Sequence, residues 1–363
     1  MTDFQFGPTS SDPSDLPGGA SIDLRIMATS DLHANLLAWD YDGDRPCPSR
    51  GLARLASLIG QARAEVAQSL LLDNGDFLNG TPLADHLADH PAQGRAHPMI
   101  AAMNHLGYDA ATLGNHEFSH GLPFLRRSLG DARFPFVSTN CWESAPTGRQ
   151  MAEHQLLLPF QALDQHGQSH RLRIGILGFL PPQTLVWEWR HLKGRAGAAD
   201  ILASATTAVP ALRAAGADLV IVLAHSGIGG PGGGEGAENA GFALSDLPGV
   251  DAVIAGHTHL LFSSSDSPEL TAKPVMMPGF FGSHLGVMDL KLAQTAQGWR
   301  VASHRTALRP IAQRDPDRGT LRAVVADDPA IVALAMPDHA ALLARSACHI
   351  GQIAQPLHSF FSL

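Results

Sequence analysis

Residues 22–33 read Ile-Asp-Leu-Arg-Ile-Met-Ala-Thr-Ser-Asp-Leu-His. The first six alternate apolar and polar, the pattern of a half-buried strand, and the run ends in Asp31-Leu32-His33. The same arrangement recurs four times. Ser69–Leu72 runs into Asp73-Asn74-Gly75-Asp76, and Tyr108–Leu113 into Gly114-Asn115-His116-Glu117. Leu219–Leu223 runs into Ala224-His225-Ser226-Gly227, and Val250–Ala255 into Gly256-His257-Thr258-His259. Each polar cluster sits just past the carboxyl end of a predicted strand, where α/β sheets place their sites because loops converge there on a rigid support. Helical spacing fills the gaps: Leu52, Leu55, Ile59 and Val66; then Met99, Met103 and Leu106 with Gly107 as a stop. A further helix over 199–215 contains Pro210, which predicts a kink or early end. Strands at Ile174–Gly178 and Val275–Met277 extend the set, and Val287–Leu292 pairs with Trp299–His304 as a hairpin. The fold class is α/β.

The 363 residues are 45% apolar and 16% charged, which is globular composition, enough for one large α/β domain or two smaller ones. It excludes a disordered chain, a coiled coil and a collagen-like fibre. No apolar run is long enough for a transmembrane helix, so no membrane partner is expected. A net charge of -9 argues against a nucleic-acid polymer as partner. A small anionic substrate remains compatible, because bound cations invert the local sign. Cys47, Cys141 and Cys348 are too scattered for a disulfide scaffold or a thiolate zinc site. The segment 1–20 is polar and Pro/Gly/Ser-rich, expected as a disordered tail. It lacks a basic start and an apolar stretch, so the chain is expected in the cytoplasm, or in the periplasm if a leader precedes it. Gly227–Gly236 is expected as a solvated Gly-rich linker beside His225, with a mobile flap as the sharper alternative.

Taken singly, each polar cluster is common. The ordered set of five supplies oxygen and imidazole ligands suited to Mn, Zn, Fe or Co, and two such ions bridged by a carboxylate lie roughly 3.5–4 Å apart. On extended chain, residues i and i+2 point the same way, so Asp31/His33 and His257/His259 are each expected to reach one ion. Gly75, Gly114 and Gly256 permit close backbone approach.

Asp-x-His, Gly-Asp-x-x-x-Gly, Gly-Asn-His-Glu, a lone His and Gly-His-x-His together resemble the signature of calcineurin-like metallophosphoesterases. Arg25–His33, Asp73–Asp76, Thr112–Phe118, Leu223–Gly227 and Met277–Gly286 extend the resemblance to the 5′-nucleotidase family, and within it to the cyclic-phosphodiesterase branch. It covers about residues 22–363. It implies a four-layer αββα sandwich of two mixed sheets flanked by helices, with the catalytic domain over 21–315. Residues 316–363 would be a helical linker and the start of a C-terminal nucleotidase domain, with Gln355–Phe361 similar to that domain's first element.

The resemblance also implies two divalent ions: Asp31, His33 and His259 on the first, Asn115, His225 and His257 on the second, Asp76 bridging. His116, with Asn115, would face the substrate phosphate and act in catalysis. The implied activity is hydrolysis of a small nucleotide, most directly a 2′,3′-cyclic nucleotide to a 3′-nucleotide and then a nucleoside, by a metal-activated water. Alternatives are a 5′-nucleotidase or other phosphomonoesterase, and a catalytically crippled metal-binding module without a base clamp. No obligate protein partner is evident. The family's usual Asp three residues after the Asn-His histidine is here Ser119, followed by His120, so a carboxylate that orients His116 must come from elsewhere or be absent. Trp39 and Tyr41 are read as loop packing, Asp73 as a support behind Asp76, and Glu117 as a loop-fixing residue. For Asn140 and His284, structural and site roles are equally open.

Overall fold

The structure, a computed structural model, describes residues 19–90, 94–144, 152–230 and 238–352. The tail 1–18, most of the Gly-rich stretch (231–237) and the end of the chain (353–363) lie outside the described residues. The expectations placed on those segments therefore lie outside them too.

Two six-stranded sheets form the centre. In chain order their strands are β1 (Ser21–Thr29), β2 (Ser69–Asp73), β3 (Ala110–Thr112), β4 (Phe136–Val137), β5 (Leu156–Leu163), β6 (Ser169–Phe179), β7 (Leu219–Ala224), β8 (Ala252–Ala255), β9 (Leu261–Ser263), β10 (Val275–Pro278), β11 (His284–Thr295) and β12 (Gly298–Pro310). The first sheet runs β12-β11-β1-β2-β3-β4 and the second β9-β10-β8-β7-β6-β5. Both are mixed. Strands β1 to β4 are mutually parallel, and β11 adds antiparallel to β1. In the second sheet β6, β7, β8 and β10 are parallel, with antiparallel edges at β5 and β9.

Alternation along the strands divides the core into three layers. Ile22, Leu24, Ile26 and Ala28 face Ile174, Ile176, Ile221 and Ile254 between the sheets. Met27, Leu71 and Ala111 point outward, under helices such as Leu52–Ala64 and Pro98–Leu106. Val220, Val222 and Val253 point outward on the other side, under the helix Ile201–Ala214. The order is therefore helix, sheet, sheet, helix, as expected.

Gly107 caps its helix in the left-handed conformation, with φ of 67°. The expected hairpin is present but longer, with a bulge at Lys291/Leu292. Pro210 does not end its helix, so of the kink or early end expected from the sequence the early end is excluded. Pro210 and Thr206, whose carbonyl would lose its partner, both lie on the exposed face, where water can substitute. The opposite face is held by buried Ile201, Ala205, Ala208, Val209 and Leu212. Pro337 sits in the same way on the exposed face of the last helix, Pro329–Ser346. That helix packs Ile331, Ala335 and Leu342 into the core outside the first sheet. Trp39 and Tyr41 pack against His339 of this helix, and Tyr41 hydroxyl lies 3.0 Å from His339 Nδ1.

Candidate metal centre

The ends of β1, β2, β3, β7 and β8 converge where the two sheets meet. Three groups of ligand atoms each lie within 4.8 Å of one another: Asp31/His33/His259, His33/Asp76/His116 and Asp76/His225/His257. Asp31 Oδ1 is 3.4 Å from His259 Nε2 and 3.8 Å from His33 Nε2. Asp76 Oδ2 is 3.0 Å from His225 Nε2 and 3.9 Å from His33 Nε2. Asp76 thus belongs to two groups. No thiol enters these three groups.

The loops do not reach this arrangement as the sequence reading supposed. Asp31, His33, Asp76, His257 and His259 have φ of 53°, 48°, 58°, 69° and 59°. The two x-separated pairs converge through left-handed turns, not along extended chain. Such backbone costs on the order of 1–3 kcal/mol per residue and collects at functional sites. The glycines make room for it. A Cβ on Gly114 would lie 2.2 Å from Asp76 Oδ1, and one on Gly256 would lie 2.8 Å from Asp31 Oδ2.

Glu117 does much of the holding. It is fully buried, and its Oε2 accepts from the amides of Asp76 (2.7 Å) and Gly114 (2.6 Å). Its Oε1 accepts from Phe77 (2.8 Å) and Leu78 (3.1 Å). One carboxylate therefore joins the loop carrying Asp76 to the loop carrying Asn115 and His116. Burial and the Asp76 charge push its pKa up to about 7, against the pull of these donors. Asp73 accepts from Thr29 hydroxyl (2.5 Å) and Gly75 amide (2.9 Å), fixing the turn behind Asp76. The His116 amide donates to Asp76 Oδ1 at 2.7 Å.

Each inner histidine is steered by an acceptor on its outer nitrogen. His33 Nδ1 donates to Asn79 carbonyl (2.6 Å) and His225 Nδ1 to Asn74 carbonyl (2.8 Å). His257 Nε2 donates to Glu238 (2.7 Å). Carbonyls and carboxylates only accept, so in the neutral ring the other nitrogen of each carries the lone pair, the form in which a histidine can bind a cation. This is the outer-shell pattern of metal-ligating histidine. In this centre the buried Asn115 Oδ1 has no hydrogen-bond partner, and His225 Nε2 has only the Asp76 carboxylate, 3.0 Å away, to meet it. Burial would lower the His225 pKa, but the Asp76 and Asp31 carboxylates drive it up to about 10. Burial would raise both carboxylates, yet His225 holds each below the usual range. In chemistry, geometry and unmet bonding capacity, the donor set fits divalent cations.

Of the other candidates, Asn140 is committed to structure: its amide donates to Leu180 and Ala199 carbonyls and accepts from Leu180. His284 pairs with neighbouring Ser283 hydroxyl at 3.0 Å and joins none of the three ligand groups. Several neighbours escaped the sequence reading. Phe280 stacks on His259 at 4.7 Å, and Trp187 on His257 at 5.4 Å. Asn79 and Glu238 orient His33 and His257 from loops that carry no periodic signal. Of these, Phe280 lay inside a stretch the sequence reading had quoted, and Asn79 only as an unspecified position of Gly-Asp-x-x-x-Gly.

Comparison with known proteins agrees with this geometry. Residues 24–261 match the calcineurin-like phosphoesterase family. The chain is 38% identical over 355 residues to the 2′,3′-cyclic-nucleotide 2′-phosphodiesterase/3′-nucleotidase of Salmonella typhimurium, covering 95% of this chain and 54% of that protein. It is 39% identical over 357 residues to the protein of the same name from Haemophilus influenzae, again covering 95% and 54%. The chain thus spans about half the length of these relatives. The crystal structure of calcineurin-like phosphoesterase YfkN from Bacillus subtilis superposes with a TM-score of 0.80 at 34% identity, covering 90% of this chain and 99% of that one. By fold, by site and by a match spanning more than half its length, the chain belongs to the calcineurin-like phosphoesterase family.

Proposed function

We propose that this chain hydrolyses phosphate esters of small nucleotides at a binuclear divalent-metal centre. In this reading Asp31, His33 and His259 hold one ion, Asn115, His225 and His257 the other, and Asp76 bridges. The observation that carries it is the carboxylate of Asp76 shared between two ligand groups, beside the unpartnered Asn115 Oδ1. When bound, the ions supply Lewis-acid polarisation of the phosphate and a water activated at neutral pH.

The substrate class is 2′,3′-cyclic nucleotides, supported by the names of the relatives at 38% and 39% identity. Water attacks phosphorus in line with the ribose 2′-oxygen; the P–O2′ bond breaks and a 3′-nucleotide forms. His116 hydrogen-bonds the phosphate and returns a proton to the departing 2′-oxygen. A second hydrolysis releases the nucleoside. The catalytic unit is residues 21–315, followed by a helical linker.

The test uses the Mn²⁺-loaded chain. Hydrolysis of bis-p-nitrophenyl phosphate, together with faster turnover of 2′,3′-cyclic AMP and 3′-AMP than of 5′-AMP, is expected. Preference for 5′-AMP would make it a 5′-nucleotidase. Silence on all four substrates with metals bound would make it a non-catalytic metal-binding module.

A further inference from the structure

His116 is held by a relay that reaches an acidic residue seventy-two positions away in the chain. Residues His116–Phe118 form one 3₁₀ turn, and the Ser119 amide donates to His116 carbonyl at 3.3 Å. At three residues per turn, side chains i and i+3 eclipse, so Ser119 lies beside the His116 ring. Ser119 Oγ is 3.3 Å from His116 Nδ1 and donates to Glu188 Oε1 at 2.7 Å. A hydroxyl has one proton, and a carboxylate only accepts. With that proton on the Glu188 side, Ser119 Oγ presents a lone pair to the imidazole. The proton of the second hydrogen bond must then sit on His116 Nδ1. Exchange with a substrate is left to Nε2.

Glu188 is well anchored for this task. It is the junction between two short helices, Thr184–Trp187 and Trp189–Leu192. Its amide donates to Thr184 carbonyl (2.9 Å), and its carbonyl accepts from His191 (2.9 Å) and Leu192 (3.0 Å). The preceding Trp187 stacks on His257, so the segment is also registered against the metal centre. His120, the other polar neighbour of Ser119, turns away: its Nε2 lies 3.0 Å from Asn79 Oδ1.

We propose that Glu188 is a positioning residue. Through Ser119 it fixes the tautomer and ring orientation of His116, so that Nε2 faces the leaving oxygen. This rests on the reading of His116 as the proton donor given above.

Two measurements test it. Long-range ¹H–¹⁵N spectra of the full chain, with His116 assigned by comparison with His116→Gln, report the tautomer without any turnover. Wild type is expected to show a protonated Nδ1, and Ser119→Ala and Glu188→Gln to lose that preference. In kinetics, Glu188→Gln and Ser119→Ala should each lower kcat for 2′,3′-cyclic AMP on the order of tenfold or more, with KM little changed. The double variant should lose no more than either single one. Bis-p-nitrophenyl phosphate, whose leaving group needs no proton, should lose clearly less than 2′,3′-cyclic AMP, because only the His116 hydrogen bond to the phosphate is weakened there. Ser119→Asp in the Glu188→Gln background, which places a carboxylate directly on Nδ1, should recover most of the loss. Unchanged His116 tautomer in both variants overturns the proposal, as does an equal loss on both substrates. An inactive wild type with the expected spectra would sink the functional reading and leave the relay standing.

Discussion

Glu117→Gln is the sharpest test of how the two loops are held. The native carboxylate accepts four backbone amides, two on each oxygen. A glutamine keeps one acceptor oxygen and turns the other position into a donor, so two amide contacts become donor against donor. A hydrogen bond to a charged group contributes about 1.5–3 kcal/mol, and the orphaned amides are buried, giving a gross loss of roughly 3–6 kcal/mol. Removing a carboxyl whose burial already pushes its pKa up to about 7 returns part of that. The net expectation is about 3 kcal/mol. For a domain of this size that is a fall in Tm of roughly 4–5 °C. Because Asp76 and the Asn115 loop lose their common tether, Mn²⁺ affinity should also fall about 10–100-fold. Scanning calorimetry of the metal-free protein and calorimetric Mn²⁺ titration read the two effects separately. A Glu117→Gln protein with wild-type Tm and wild-type Mn²⁺ affinity would refute the tether.

Two further outcomes follow from the same structure. His116→Ala should keep its full metal content by elemental analysis while turnover of 2′,3′-cyclic AMP falls on the order of 100-fold or more; equal turnover would remove His116 from the reaction. His97 caps the helix Pro98–Leu106 by accepting the Met99 amide on Nδ1, and its buried Nε2 has no partner. Burial lowers its pKa to about 4 from 6.5. The unfolded chain therefore binds this proton first, so stability is lost as pH falls from 6.5 through 4. His97→Asn, which keeps the cap without a titrating ring, should flatten that window in urea melts at pH 7, 5.5 and 4; an unaltered pH dependence would show the loss lies elsewhere.

The sandwich was legible because each inner strand is an apolar run that ends abruptly in ligand-type residues, and burial on both sides leaves such runs little freedom. The edges were less so. Strand β5 (Leu156–Leu163) escaped notice because it is half-exposed and interrupted by Pro159, as an antiparallel edge tolerates. The early helix end expected at Pro210 failed for a related reason: the sequence does not say which face meets water. At the centre, residue types were readable but backbone was not. The sequence offers only glycine as a flag for positive φ, whereas Asp31, His33, Asp76, His257 and His259 adopt it under tertiary constraint. Glu188, Glu238 and Asn79 act through single long-range hydrogen bonds, which leave no trace in local spacing.

The account depends on side chains from five strand ends sharing two cations through Asp76. Elemental analysis of the Mn²⁺-loaded, dialysed chain, run beside Asp76→Asn of matched fold, measures this directly. Close to two ions per chain in wild type and one or fewer in the variant is the predicted result. One ion or none in folded wild type, or two retained in Asp76→Asn, would contradict it.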